Sequence, residues 1–398
     1  MVANGVWTLT KIHDTSFAML RDIYISRGPL AAFAAEGLFW GSFAALVPVI
    51  KANAGLGDGA FGTVMLIAAL GAVSAMWLAP RAEAALGRWC LPVLATAMAL
   101  AFLLPGHASN AVMLSGAMMA ATMASGSLDV AMNARISILE GRHGRPLMNL
   151  AHGIFSVAYA LSALLGGFGR EIGWSPAMIL SAEAGLCALL IWQMITAPVP
   201  DPEPSSNETA SRRLPLVLLI PAGLIVLLAF MSEQATEAWS ALHLERGLGA
   251  GAAEGAFGPA ILGLTMAVGR LSGQAIIHVW TEAKVITFAA SLAAIGSVIA
   301  AWAQNLPVAY LGFGLLGLGV SVVAPMAFAW VGRMVPDEKK ALAISRIAVL
   351  GYAGFFIGPP LMGFLAEGFG LPVSFTAIAI LLMLAPLVLV PMVARYRG

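Results

Sequence analysis

Long apolar runs, broken at glycine, proline and clusters of charge, follow one another along almost the whole chain. A membrane-spanning helix needs about 20 predominantly apolar residues. The pattern predicts twelve such helices, near 29–50, 59–80, 89–106, 110–138, 147–169, 174–196, 214–243, 254–278, 284–303, 306–333, 339–366 and 371–394. The runs do not alternate polar and apolar positions as the strands of a membrane β-barrel do. The predicted fold class is therefore an all-α membrane protein. Before the first run, Phe17, Leu20, Ile23 and Tyr24 have the spacing of a short interfacial helix. The charges Lys11, Asp14, Arg21, Asp22 and Arg27 interrupt this segment and exclude a signal peptide.

Composition agrees with the pattern. The 398 residues are 60% hydrophobic and 10% charged, against about 25% charged in soluble domains, so the bilayer must serve as solvent for this surface. A net charge of +1 argues against a nucleic-acid partner. Cys90 and Cys187 form neither a metal-ligand spacing nor a disulfide framework. No metal motif, phosphate-binding glycine loop or nucleophile–base pair is present, so neither an enzyme nor a metal or cofactor is expected.

Lysine and arginine predict the orientation. With both termini inside, 15 of these residues fall in cytoplasmic segments and three, Lys51, Arg170 and Arg246, on the other side. That bias is the positive-inside pattern and places the chain in a cell inner membrane. Arg135, Arg270 and Arg346 fall within helices. Between the sixth and seventh runs, "PVPDPEPSSNETASRR" at 198–213 reads as a cytoplasmic linker. The expected organisation is a cytoplasmic segment (1–28), a six-helix bundle (29–197), the linker (198–213) and a second six-helix bundle (214–398). The two bundles repeat: "DGAFG" at Asp58–Gly62 returns as "EGAFG" at Glu254–Gly258, and "GFGRE" at Gly167–Glu171 as "GFLAE" at Gly363–Glu367, both 196 residues on. An even number of helices per repeat implies a pseudo-twofold axis along the membrane normal, with one central cavity between the halves.

Ionisable groups inside spans are functional candidates by default, because hydrocarbon penalises them. Eighteen uncharged residues precede Asp129, and Asn133 shares its helix face at i+4. Counted along a straight helix from Asn110, Asp129 lies roughly 28 Å down, in the cytoplasmic half, where the alternative is a structural pair with Arg135. Glu36 shares a face with Trp40, and its short distance from Pro29 puts it near the cytoplasmic interface. His152 and Asn149 open the fifth helix, where the histidine suits either a proton relay or a helix-packing hydrogen bond. Glu233, Gln234, Glu237 and Trp239 line the seventh, and Glu233 lies 197 residues after Glu36, nearly the repeat offset. Arg346 is placed to meet an anionic solute or to snorkel. Tyr352 lies in the glycine-rich eleventh span, where Pro359 and Pro360 predict a kink. Arg270 is assigned a structural role near a helix end.

Twelve helices, a 6+6 repeat and a central cytoplasmic linker resemble the major facilitator superfamily over essentially the whole chain. "GSLDVAMN" followed by "LMNLAHGIFS", with "EQATEAW" and "GYAGFFIGPPLMG", is similar to the fucose-permease-like branch and its bacterial inner-membrane relatives. The resemblance implies a proton-coupling role for Asp129 and puts His152 where those permeases hold a glutamine near the sugar. It departs at Ala44, where they carry an aspartate, and in the loop "PRAEAALGR", which keeps Gly87 and Arg88 but lacks the family's aspartate.

Two transport readings and one other follow. In the first, the chain is a secondary transporter of a small polar solute (a sugar, polyol or related acid) with proton symport by alternating access. Asp129, Glu36 and Glu233 carry protons; Trp40, Asn133, Asn149, His152, Gln234, Glu237, Trp239, Arg346 and Tyr352 bind solute. In the second, it exports amphipathic compounds or lipids. In the third, it is a non-transporting sensor on the same fold. Its partners are the solute, protons and the bilayer, and it acts as a monomer.

Overall fold

The computed structural model describes residues 3–197, 214–276 and 280–396. The linker expected at 198–213 lies outside these residues, as does Arg397. Helices account for nearly all of them: α1 (Ala3–Asn53), α2 (Asp58–Leu86), α3 (Cys90–Leu103), α4 (Ala111–His143), α5 (Leu147–Glu171), α6 (Pro176–Ile191), α7 (Leu216–Leu248), α8 (Ala252–Ile276), α9 (Glu282–Ala301), α10 (Leu306–Met334), α11 (Asp337–Phe369), α12 (Leu371–Leu384) and, after a π-helical turn, α13 (Val390–Ala394). Among the described residues, eleven stretches are long and apolar enough to cross a membrane. The second of them, Asp58–His107, runs through α2, a 3-10 turn at Gly87–Trp89, and α3, where the sequence pattern marks two separate runs.

Local chemistry sets the boundaries. The Asn110 side chain accepts from the Met113 amide at 2.9 Å and starts α4, and Gly144, with φ of 60°, ends it in the left-handed region. Asn305 starts α10 the same way, accepting from Val308 N at 3.1 Å. Several helices outrun their predicted ends. α2 continues past 80 to Leu86, α4 past 138 to His143 and α7 past 243 to Leu248, and α1 begins at Ala3 instead of near 29, running through Pro29. A proline removes one ladder bond without ending a helix whose surroundings hold both sides in place. α11 likewise continues through Pro359 and Pro360.

Packing repeats with the same offset of six helices. α1 packs on α5 as α7 does on α11, α2 on α4 as α8 on α10, and α3 on α6 as α9 on α12. The halves meet through α5 with α8 and through α2 with α11, the same relation taken twice. Small residues permit these crossings. A Cβ on Gly62 would stand 2.9 Å from the Pro360 Cα, and one on Gly363 would stand 2.5 Å from the Asp58 carbonyl, so neither position accepts a side chain without separating the helices. Trp77, Leu189 and Val112 are exposed on the outer faces, as a lipid-facing surface requires.

Candidate functional site

The ionisable residues predicted to matter lie near the middle of their helical stretches. Glu36, Asp129, Glu233 and Tyr352 each lie within two residues of the midpoint of Leu20–Asn53, Ala111–His143, Leu216–Leu248 and Glu338–Phe369 respectively.

In the first half, Glu36 is 5% exposed. Its Oε1 accepts from Ser125 Oγ, one turn before Asp129 on α4, and Ser125 in turn accepts from Trp40 Nε1 at 2.9 Å. The Glu36 Oε2 is buried without a hydrogen-bond partner among the described residues. Asn133 donates to Asp129 Oδ1 at 2.8 Å and to its carbonyl at 2.9 Å, so the predicted i, i+4 pair forms. Asp129 is close enough for its charge to act on Glu36 and, from the other half, on Tyr352. The alternative pairing with Arg135 does not form. Arg135 instead meets Glu83 at 2.9 Å and donates to the Gly87 carbonyl at 2.6 Å and to Thr196. Glu83 thus supplies, one residue early, the carboxylate missing from the "PRAEAALGR" loop. The second half has a matching pair at the same end, Glu282 with Arg333.

In the second half, Glu233 accepts from Arg270 Nη2 at 3.0 Å, while Arg270 Nη1 donates to Ser156 Oγ of α5 at 3.0 Å. Arg270, in the last turns of the span Ala252–Ser272, ties α7, α8 and the first half together through Glu233 and Ser156. Ser156 is one turn from His152, which is half-buried edge-on to Phe33 at 5.0 Å and within reach of the Arg270 charge. Gln234 donates to Glu237 at 2.7 Å. Tyr159 is buried with its hydroxyl unpartnered among the described residues, beside Glu237 and Glu233. Glu36 and Glu233 are not bonded to each other: one is held by α4, the other by α8. Phe230, Tyr352 and Phe355 stack with centroids 4.8–5.9 Å apart and form an aromatic face. Asn149 is half-buried on α5, Arg346 is exposed on α11, and Trp239 is buried edge-on against Phe61 of α2 at 5.5 Å.

Hydropathy patterning lends no prominence to Ser125, Ser156 or Tyr159. The first lies four residues from Asp129 and the second four from His152, so helical spacing alone could have nominated both. Among the described residues no group of three or more His, Cys, Asp or Glu side chains could hold a metal ion.

One end of the molecule locks the halves together. Arg170 of α5 meets Glu245 of α7 at 2.6 and 3.0 Å, and Arg246 of α7 meets Asp58 of α2 at 2.9 and 3.1 Å. Lys51 also reaches Asp58, at 2.8 Å. Glu367, at the end of α11, accepts from the Gly59 amide in the first turn of α2 at 2.5 Å. Glu171, at the end of α5, accepts from the Ala253 amide in the first turn of α8 at 3.2 Å. The two repeated motifs are these contacts.

Pseudo-symmetric helix-pair packing around buried and half-buried ionisable groups defines the class: an all-α, multi-pass membrane protein. The chain belongs to the major facilitator superfamily. It is 31% identical over 383 residues, 94% of its length and 97% of the relative's, to an uncharacterised MFS-type transporter of Yersinia pestis. The profile of the Major Facilitator Superfamily matches residues 279–397. The fold is shared with a bacterial homologue of the human lysosomal transporter Spinster in an inward-facing, occupied conformation (TM-score 0.72, 16% identity, 94% of this chain and 96% of that one). It is shared also with a D-xylose–proton symporter (TM-score 0.64, 14% identity, 92% and 96%). These matches are to transporters, not enzymes.

Proposed function

We propose that the chain is a proton-coupled secondary transporter that takes up a small polar organic solute, such as a sugar, polyol or related acid, by alternating access. The supporting observation is that Glu36, Asp129 and Glu233 lie near the middle of their helical stretches, Glu36 held by Ser125 of α4 and Glu233 by Arg270, which also reaches Ser156 of the first half. In this reading the stretch Asp58–His107 crosses twice. That gives twelve spans in two bundles, with residues 198–213 between them and both termini on the cytoplasmic side of an inner membrane. The end locked by Arg170–Glu245 and Arg246–Asp58 is the periplasmic gate in its closed state. Asp129 exchanges the coupling proton, and Glu36, joined to it through Ser125 and α4, shares that proton. Glu233 and Arg270 separate when solute enters between them. Asn133, His152, Gln234, Glu237 and Tyr352 line the solute path, with Trp40, Asn149 and Arg346 at its margins. Trp239 seals it against α2. The branch resemblance at "GSLDVAMN" favours the same role for Asp129.

The aromatic face of Phe230, Tyr352 and Phe355 favours a second reading, export of amphipathic compounds. A thermal-shift screen of sugars, polyols and organic acids on purified protein identifies the solute, because ligands bound to the native state raise its stability. In proteoliposomes, Asp129→Asn is expected to lose accumulation driven by a pH gradient and to keep counterflow exchange. Undiminished uphill accumulation by that variant would refute the proton role. Hits confined to lipophilic cations would favour the exporter.

A further inference from the structure

We propose that the first half carries, at its arginine-rich end, a binding site for a phosphate group, supplied by an anionic phospholipid of the adjoining leaflet. The proposal uses the membrane placement given above and is independent of the transported solute. A pocket of about 460 Å³ opens between the start of the first span, the α2–α3 turn, the last turns of α4 and the residues after α6. Four arginines line it, Arg27, Arg88, Arg135 and Arg142, and among the described residues no carboxylate does. Arg135 is 3% exposed and engaged by Glu83, Gly87 and Thr196, so it fixes the floor. The other three are exposed and in no ion pair among the described residues. Arg27 lies over the Tyr24 ring at 4.8 Å and Arg88 over Trp89 at 5.6 Å. Three uncompensated cations around one small cavity repel each other, and an anion between them removes that repulsion. Guanidinium forks match phosphate oxygens in particular.

The remaining wall separates a lipid from a free ion. Ile25, Ile138 and their neighbours make it apolar, which suits the glycerol and first acyl carbons of a lipid and offers nothing to a hydrated ion. Trp89 and Trp192, 45% and 76% exposed, flank this part of the chain. Exposed indoles settle at headgroup depth, and basic pockets between spans on the cytoplasmic side suit anionic headgroups.

The test uses the full-length protein in neutral detergent at constant ionic strength. It is titrated with short-chain phosphatidylglycerol, with phosphatidylcholine of the same chains, and with inorganic phosphate. Lipid retention is read by native mass spectrometry and the unfolding midpoint by thermal shift. Phosphatidylglycerol is expected to be retained and to raise the midpoint, with phosphatidylcholine at least tenfold weaker. Arg27→Gln and Arg142→Gln should each weaken binding on the order of tenfold. Arg81→Gln, an exposed arginine outside the pocket whose guanidinium donates to the Trp77 carbonyl at 2.7 Å, should bind as the native protein does. Inorganic phosphate that binds alone, with the same dependence on Arg27 and Arg142, keeps the phosphate site and makes its source soluble. Equal binding of the two lipids overturns the proposal, as does phosphatidylglycerol binding that survives loss of both Arg27 and Arg142.

Discussion

The two ends of the molecule use charge in opposite ways. At the end where α2 meets α11 and α5 meets α8, the three cations Lys51, Arg170 and Arg246 are all paired with carboxylates, and two of the three pairs join the halves. At the other end the strong pairs, Glu83–Arg135 and Glu282–Arg333, lie within one half, and Arg27, Arg88 and Arg142 stand unpaired among the described residues. In the transporter proposed above, the pairs shared between the halves hold the closed gate, the pairs confined to one half stiffen that half and leave it free to move, and the surplus cations serve the proposed phosphate site. The asymmetry that predicts orientation is thus also a division of labour.

The largest effect is expected from breaking a pair within one half. Arg135→Gln removes the guanidinium that bridges Glu83, the Gly87 carbonyl and Thr196 and should destabilise the protein by about 2–3 kcal/mol, below the range for fully buried pairs because the site keeps some exposure. The check is the unfolding midpoint in detergent, and an unchanged midpoint would remove the stiffening role. Next comes the gate. Arg170→Gln frees one inter-half pair and should raise outer-side labelling of a mid-depth cysteine, Gln234→Cys, on the order of tenfold, measured with a membrane-impermeant thiol reagent in intact vesicles. The native Cys90 and Cys187 are buried and free, so background labelling is low. Labelling that stays at the native level would mean the pair does not hold the gate.

The caps come third. Glu171→Gln and Glu367→Gln each weaken a carboxylate at a helix N-terminus and should cost about 0.5–1 kcal/mol apiece, adding in the double variant because the sites share no partner. A midpoint shift in the double variant that differs from the sum would show coupling between the two crossings. Smallest of all is Arg88→Gln, an exposed, unpaired position, where lipid-free protein should change by less than about 0.5 kcal/mol. A larger loss would place Arg88 in the packing of the half rather than on its surface.

Much of this was legible in the chain. Apolar runs located the helices because spanning segments must satisfy their own backbone and meet lipid along their length. The i, i+4 spacing paired Asp129 with Asn133. Helix ends were harder, because α4 and α1 extend beyond the apolar runs that mark them. For Arg270 the sequence suggested a structural role but not its partners. Glu233 and Ser156 sit on other helices, and spacing along one helix carries no information about neighbours across a gap. The repeats were visible as duplication only. Their meaning as contacts between the halves needed the fold, because the partners lie far apart in the chain, 82 residues for Glu171 with Ala253 and 308 for Glu367 with Gly59.

Glu171 and Glu367 have one more consequence. Each closes an end of its own bundle's fifth helix onto the opening turn of the other bundle's second, so residue i of the first bundle meets j of the second while the counterpart of i meets the counterpart of j. That reciprocity is the geometry of an isologous interface, the contact two identical six-helix subunits would make face to face. The gate therefore needs no covalent tether to set its register. Two bundles synthesised as separate polypeptides carry, in those carboxylates and amides, the instructions to find each other.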